Sequence, residues 1–127
     1  MSYRWIAAAF GLAALASTAV AAPAAGSAAA GQDLFSEQCS LCHSVTPTGG
    51  GGGGPDLNGV MGRKVASVTG FTYTRALKAK TDTAWTPELL DTFLNDPQTF
   101  ASGTSMPVNL TEAKDRADVI AYLATVK

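Results

Sequence analysis

Cys39-Ser40-Leu41-Cys42-His43 decides how the rest of the sequence is read. The pattern Cys-x-x-Cys-His is the signature of c-type haem attachment. Spacing gives the physical reason: on a helix Cys39 and Cys42 stand three apart and His43 four from Cys39, so all three side chains lie near one face. Two thiols can then add across the two vinyl groups of one haem while the imidazole reaches its iron. Leu34, Phe35 and Gln38 extend the same spacing upstream, so a helix is expected from about Gln32 to Ser44, ended by Thr46-Pro47. Other uses of two cysteines fit less well. A structural disulfide or thioredoxin-like redox pair shares the spacing, but the redox pair expects a βαβ setting, and no alternating strand pattern occurs here. A zinc site needs more ligands than the chain's two cysteines and single histidine supply.

Upstream of the motif the chain changes character. The first thirty of its 127 residues hold 14 alanines and one charged side chain, Arg4, so the overall 46% hydrophobic content overstates the core. Ile6 to Val20 is an apolar run after a short polar start, and Ala19-Val20-Ala21 offers a small-x-small cleavage pattern. Residues 1–22 therefore read as a secretory signal peptide, 23–30 as a flexible Ala/Gly/Ser segment, and 31–127 as one small domain. An uncleaved membrane anchor is the alternative, although the run is shorter than the roughly 20 residues of a spanning helix. Either way the domain is expected outside the cytoplasm, in the periplasm of a bacterial cell. Nine basic and ten acidic residues argue against a nucleic-acid binder that works by neutralising phosphates. The absence of further long apolar spans argues against a polytopic membrane protein.

Downstream, Gly49 to Gly54 is a run of six glycines closed by Pro55, and this must be loop. A short helix is expected around Tyr73 to Lys80. Thr86-Pro87-Glu88 combines a cap, a proline at the first helical position and an acid in the first turn, followed by Leu89, Leu90, Phe93 and Leu94. That helix should stop before Pro97. Thr111-Glu112-Ala113 opens a last helix with Val119, Ile120, Leu123 and Tyr122 on its apolar face. The fold class is all-α with long irregular connections. A few short helices in a chain this small bury too little apolar surface to offset their ordering entropy, so a non-protein group is expected to complete the core. If that group is a haem held by His43, its iron needs a sixth ligand. Met106 lies in the turn-rich stretch Gly103-Thr104-Ser105-Met106-Pro107, which has little reason to hold an apolar side chain, whereas Met61 in Gly59-Val60-Met61-Gly62 suits core filling.

From Gly31 to Lys127 the chain resembles class I cytochrome c, of the mitochondrial and bacterial cytochrome c2 type. The matching residues run in order: Gly31 and Phe35; Cys39, Cys42 and His43; Gly54-Pro55-Asp56-Leu57; Gly62-Arg63-Lys64; Gly70-Phe71-Thr72-Tyr73; Trp85; Asn95-Asp96-Pro97; Gly103-Thr104-Ser105-Met106; and Ile120-Ala121-Tyr122-Leu123. The resemblance implies several short helices wrapped around one covalently bound haem c, with Cys39 and Cys42 as thioether anchors and His43 and Met106 as axial iron ligands. It implies that the Pro55 carbonyl supports His43, that Arg63, Tyr73 and Trp85 hydrogen-bond or neutralise a buried propionate, and that Thr104 contacts the other propionate side. The first and last helices would cross at Gly31. By the same resemblance the protein is expected to be a monomeric electron carrier rather than an enzyme, and a soft thioether ligand in a buried site would give it a positive reduction potential. Its partners would be a quinol:cytochrome c oxidoreductase and a terminal oxidase, a photosynthetic reaction centre or a periplasmic dehydrogenase.

Two positions depart from the family pattern. Phe93 replaces a tyrosine and Leu77 an asparagine that usually share a water network near the methionine sulfur, so a drier pocket is expected there. Charge is also uneven: Arg63, Lys64, Arg75, Lys78 and Lys80 cluster mid-chain, while Glu88, Asp91, Asp96, Glu112, Asp115 and Asp118 dominate the later helices. Such a division is either a pair of solvated faces or a dipole that steers the molecule onto partners.

Overall fold

The computed structural model describes residues 25–47 and 52–127. The signal-peptide reading of residues 1–22, the first two residues of the segment after it and the first half of the glycine run lie outside the described residues. Among the described residues five helices follow in order: α1 (Ala28–Gln38), α2 (Arg75–Lys78), α3 (Pro87–Asn95), α4 (Pro97–Phe100) and α5 (Ala113–Leu123). Among the described residues the β pairing is one isolated antiparallel bridge, Lys64 with Ala84. No helix among them is long and apolar enough to cross a membrane.

The first helix departs from expectation at both ends. It starts at Ala28, so Ala28–Ala30 belong to it rather than to a flexible segment, and Ser27 caps it by accepting the Ala30 N–H. It stops at Gln38, before the cysteines. Phe35 O accepts both Cys39 N–H and Ser40 N–H at 2.9 Å, which closes the helix. The motif then runs through turns in which Cys39 O accepts Cys42 N–H at 3.0 Å and His43 N–H at 2.8 Å. The three-and-four relation of the motif is thus kept by turn hydrogen bonds after the helix, not by a continuous helix face.

α1 packs across α5. At Gly31 an added Cβ would lie 1.9 Å from Asp118 O and 2.4 Å from its carbonyl carbon, so only glycine lets the two backbones approach this closely. Below the crossing Phe35 meets Tyr122, ring centroids 5.5 Å apart. Asp118 is only 2% exposed although charged. Its Oδ1 accepts Ser27 N–H at 2.7 Å and its Oδ2 pairs with the Lys114 ammonium, so the side chain ties the start of α1 to α5 across 91 positions. Lys114 first, then the Ser27 N–H, holds the Asp118 carboxyl below the usual carboxylate range.

Arg116 joins α5 to α3. Its Nε donates to Asp91 Oδ1 at 2.7 Å, and its Nη1 to Asn95 Oδ1 at 3.1 Å, Leu110 O at 2.9 Å and Thr111 O at 2.8 Å. α3 starts as expected, with Thr86 Oγ1 accepting Leu89 N–H and proline at its first position. It also ends before Pro97, but that proline opens a further helix. Asp96 caps α4 by accepting Thr99 N–H at 3.0 Å and the Thr99 hydroxyl at 2.6 Å, contacts that hold its carboxyl low. α2 is four residues long, inside the expected Tyr73–Lys80 stretch.

Candidate functional site

The core of the domain and the wall of its cleft are largely the same residues. Ten buried side chains make the main hydrophobic cluster, and eight of them (Phe35, Val60, Trp85, Leu90, Phe93, Leu94, Val119 and Leu123) also line a cleft of about 1190 Å³, its mouth included. Trp85, Phe93 and Phe100 form one aromatic group, with centroid separations of 5.2 to 5.8 Å. Protein interiors pack to crystal density, so walls of this kind suit a large, rigid, mainly apolar group.

All nine residues singled out from the sequence line this cleft: Cys39, Cys42, His43, Pro55, Arg63, Tyr73, Trp85, Thr104 and Met106. They come from separate loops and helices spread over 68 positions of chain. Met61 is packed against the core but is not part of the cleft wall, which separates it from Met106. Phe93 and Leu77 are both in the wall, so the two apolar departures face the same space as Met106.

At the motif, Cys39 is half-buried, Cys42 is exposed, and neither is bridged. Burial, then the nearby Cys42, pushes the Cys39 thiol up. A thiol-disulfide catalyst needs the opposite, a thiolate stabilised near neutral pH. His43 Nδ1 lies 2.8 Å from Pro55 O. A carbonyl can only accept, so Nδ1 carries the proton and the Nε2 lone pair remains for a metal. The ring is also held from one side. A Cβ on Gly54 would stand 2.5 Å from His43 Cε1 and 2.7 Å from Nδ1, so the glycine is required for the imidazole to lie against the loop. Gly54 N–H in turn donates to Cys42 O at 2.9 Å, which fastens the end of the glycine run to the motif.

The polar wall is built from residues 56–73. Arg63 Nη1 donates to Asn58 O and Nη2 to Asp56 O, both at 2.7 Å, so the guanidinium clamps the loop that presents the Pro55 carbonyl. Tyr73 Oη accepts Val68 N–H at 3.3 Å, leaving its own O–H to donate. Burial raises the Tyr73 phenol, against the Val68 N–H and the Arg63 charge, so it stays protonated at neutral pH. Thr104 is 6% exposed and marks the turn before Met106. Sequence reasoning missed Thr74, whose buried Oγ1 has no partner among the described residues, and Asp56, whose Oδ2 is likewise buried and without a partner among them while Oδ1 accepts Asn58 N–H. Both adjoin residues of the wall, and unpaired buried oxygens are uncommon enough to mark polar sites. Their signal is tertiary burial, which local sequence does not carry.

The donor set fits a covalently attached haem: two unbridged thiols three apart, an imidazole with Nδ1 engaged and Nε2 spare, a thioether in the same wall, aromatic and aliphatic walls, and a cationic and phenolic edge. The comparisons agree. The family model for cytochrome c matches residues 28–127. The chain is 47% identical over 102 residues to the cytochrome c-type cyt cy of Rhodobacter capsulatus, covering 80% of this chain and half the length of that protein. It is 44% identical over 103 residues to cytochrome c2 of Rhodomicrobium vannielii, covering 80% of this chain and 81% of the relative. It is also 44% identical over 94 residues to cytochrome c of Gibberella zeae, covering 73% and 88%. The chain belongs to the cytochrome c family, all-α electron carriers that hold one covalently attached haem c.

Proposed function

We propose that the chain is a periplasmic single-electron carrier in which Cys39 and Cys42 form the haem thioethers and His43 Nε2 and Met106 Sδ are the axial iron ligands. The observation that carries this reading is the convergence of all nine residues on one cleft, with the His43 imidazole locked by Pro55 O into the tautomer that leaves Nε2 free. The haem, when bound, supplies a one-electron Fe(III)/Fe(II) couple. The chain's own residues tune and protect that couple. The Pro55 carbonyl orients the imidazole and fixes its tautomer. The apolar walls exclude water and disfavour extra positive charge, and a thioether ligand favours the reduced metal, so a positive potential is expected. Arg63 keeps a positive charge and Tyr73 a spare O–H at the edge where propionates would be neutralised. With His43 and Met106 both holding the iron, the bound haem would have no open position for a substrate.

Location and partners follow from the resemblance and from the Ala-rich start, read as a cleaved signal peptide. The carrier takes electrons from a quinol:cytochrome c oxidoreductase or a periplasmic dehydrogenase and delivers them to a terminal oxidase or a photosynthetic reaction centre, acting as a monomer through brief, weak contacts. No nucleic acid is involved. The membrane enters only through those complexes or a retained anchor. The test is the visible spectrum of the haem-loaded protein, oxidised and reduced, with and without carbon monoxide. A six-coordinate low-spin spectrum indifferent to carbon monoxide is expected. A reduced spectrum that shifts on adding the gas would replace this reading with an open-site protein that binds small gases or acts as a peroxidase.

A further inference from the structure

The stretch that carries Met106 is held in an uneven way. Among the described residues, 105–109 enter no hydrogen bond with the rest of the chain. The span's side of the cleft is packed, with Met106 against the core, but the hydrogen bonds that hold it lie only at its two ends. At the downstream end Leu94 O accepts Leu110 N–H at 2.7 Å, and the buried Arg116 guanidinium binds Leu110 O and Thr111 O. At the upstream end Thr104 N–H donates to Ala101 O at 2.9 Å inside its own turn, and one side chain reaches across: Gln98 Nε2 donates to Thr104 O at 2.8 Å. Gln98 belongs to α4, whose start is clamped by the Asp96 cap on Thr99. One end is therefore secured by a charged, buried group with several bonds, and the other by a single neutral amide on an exposed residue.

We infer that Gln98 is a positioning residue for Met106, a latch whose amide keeps the upstream end of the 105–109 span seated so that the thioether stays in the cleft. This rests on the reading of Met106 as the sixth ligand. Opening runs in one direction, because Thr104 releases while Leu110 and Thr111 stay anchored on Arg116. A neutral hydrogen bond of this kind changes an opening equilibrium by about threefold to tenfold. That is enough to set how often the sixth position is exposed, and too little to unfold the domain.

The donor chemistry makes the latch testable. Gln98→Ala removes the donor. Gln98→Glu keeps the shape, but its ionised carboxylate cannot donate to a carbonyl, whereas its protonated form can. Haem-loaded wild type, Q98A, Q98E and Met106→Ala would be compared in three measurements: carbon monoxide binding to the reduced protein, the weak long-wavelength band of the oxidised protein that reports the methionine–iron bond in this family, and exchange of individual backbone amides. Q98A should bind carbon monoxide about threefold to tenfold faster and exchange the Thr104 amide faster by a similar factor, with the Leu110 amide and the denaturant midpoint unchanged. Q98E should behave like Q98A at neutral pH and approach wild type as pH falls through the glutamate range. Thr104 exchange and carbon monoxide rates within twofold of wild type in both variants would overturn the latch. If wild type itself lacks the band and M106A changes nothing, the ligation reading has failed. The amide exchange still decides whether Gln98 holds the span.

Discussion

The α1–α5 crossing and the 105–109 span are both parts of the haem domain, and they are built by opposite means. At the crossing two backbones touch, glycine is compulsory, and a buried carboxylate binds both helices. At the span five consecutive residues run between two anchored ends without a hydrogen bond to any other described residue. The difference teaches where rigidity is needed. The crossing sets the shape of the cleft, while the span presents Met106, the proposed soft ligand, whose seating is governed by its ends.

Substitutions at the two regions should separate these roles. The largest effect is expected from Gly31→Ala. Alanine favours a helix by up to about 1 kcal/mol over glycine, but its Cβ would meet Asp118 backbone atoms at 1.9 and 2.4 Å, and backbone cannot rotate away. Overpacking of this kind costs about 3 kcal/mol. A net loss of roughly 2 kcal/mol should lower the thermal midpoint by about 10 °C. An unchanged melting curve would show that the crossing is not a stiff element.

Met106→Leu sharpens the contrast from the other side. The side chains are similar in volume, so packing should cost less than about 1.5 kcal/mol. The midpoint potential should nevertheless fall clearly, carbon monoxide should bind the reduced protein, and amide protection in α1 and α5 should stay as in wild type. Loss of protection in those helices would mean that the two regions are coupled.

Asp118→Asn tests the crossing by pH. The folded Asp118 carboxyl is held low by Lys114 and the Ser27 N–H, so its contribution is fully present above the unfolded value of about 3.9 and is lost as pH falls through the lower folded value. Wild type should therefore lose stability on acidification in that window, and the variant should show a shallower loss, measured by denaturant midpoints from pH 6 down to pH 2. Equal slopes would show that the Asp118 charge does not stabilise the crossing. The smallest effect belongs to Ala66→Gly, outside both regions. Ala66 has φ +56°, a left-handed conformation that costs an alanine about 1 kcal/mol, partly offset by the greater chain entropy of glycine. A gain of about 0.5 kcal/mol is expected in denaturant unfolding.

The sequence made some of this architecture legible and hid the rest for identifiable reasons. The start of α3 and its end before Pro97 could be read because cap, proline and acid are local signals. The same grammar, Asp96 followed by Pro97, also opens α4, but reading that proline only as a stop concealed it. α1 begins and ends earlier than its spacing predicts, for a deeper reason. Its Ala/Gly/Ser beginning has the composition of a tether, and what makes it helix is contact with α5 some ninety residues away. Cys39, Cys42, His43 and Met106 could be singled out as candidates because they carry distinctive chemistry, and all four line the cleft. Asp118, Arg116, Gln98 and Thr74 could not, since a surface-type residue discloses its burial or its partner only once the chain has folded.

The crossing also bears on how the molecule is made. Ser27 and Asp118 are 91 positions apart, and closing a loop of that length costs about 4 kcal/mol before any constant term. A chain synthesised from its amino end therefore holds α1 without its partner until nearly everything else has been added. Cys39 and Cys42 follow α1 directly, so through that whole interval their thiols stay on unpacked chain, accessible to chemistry that the finished fold would partly cover.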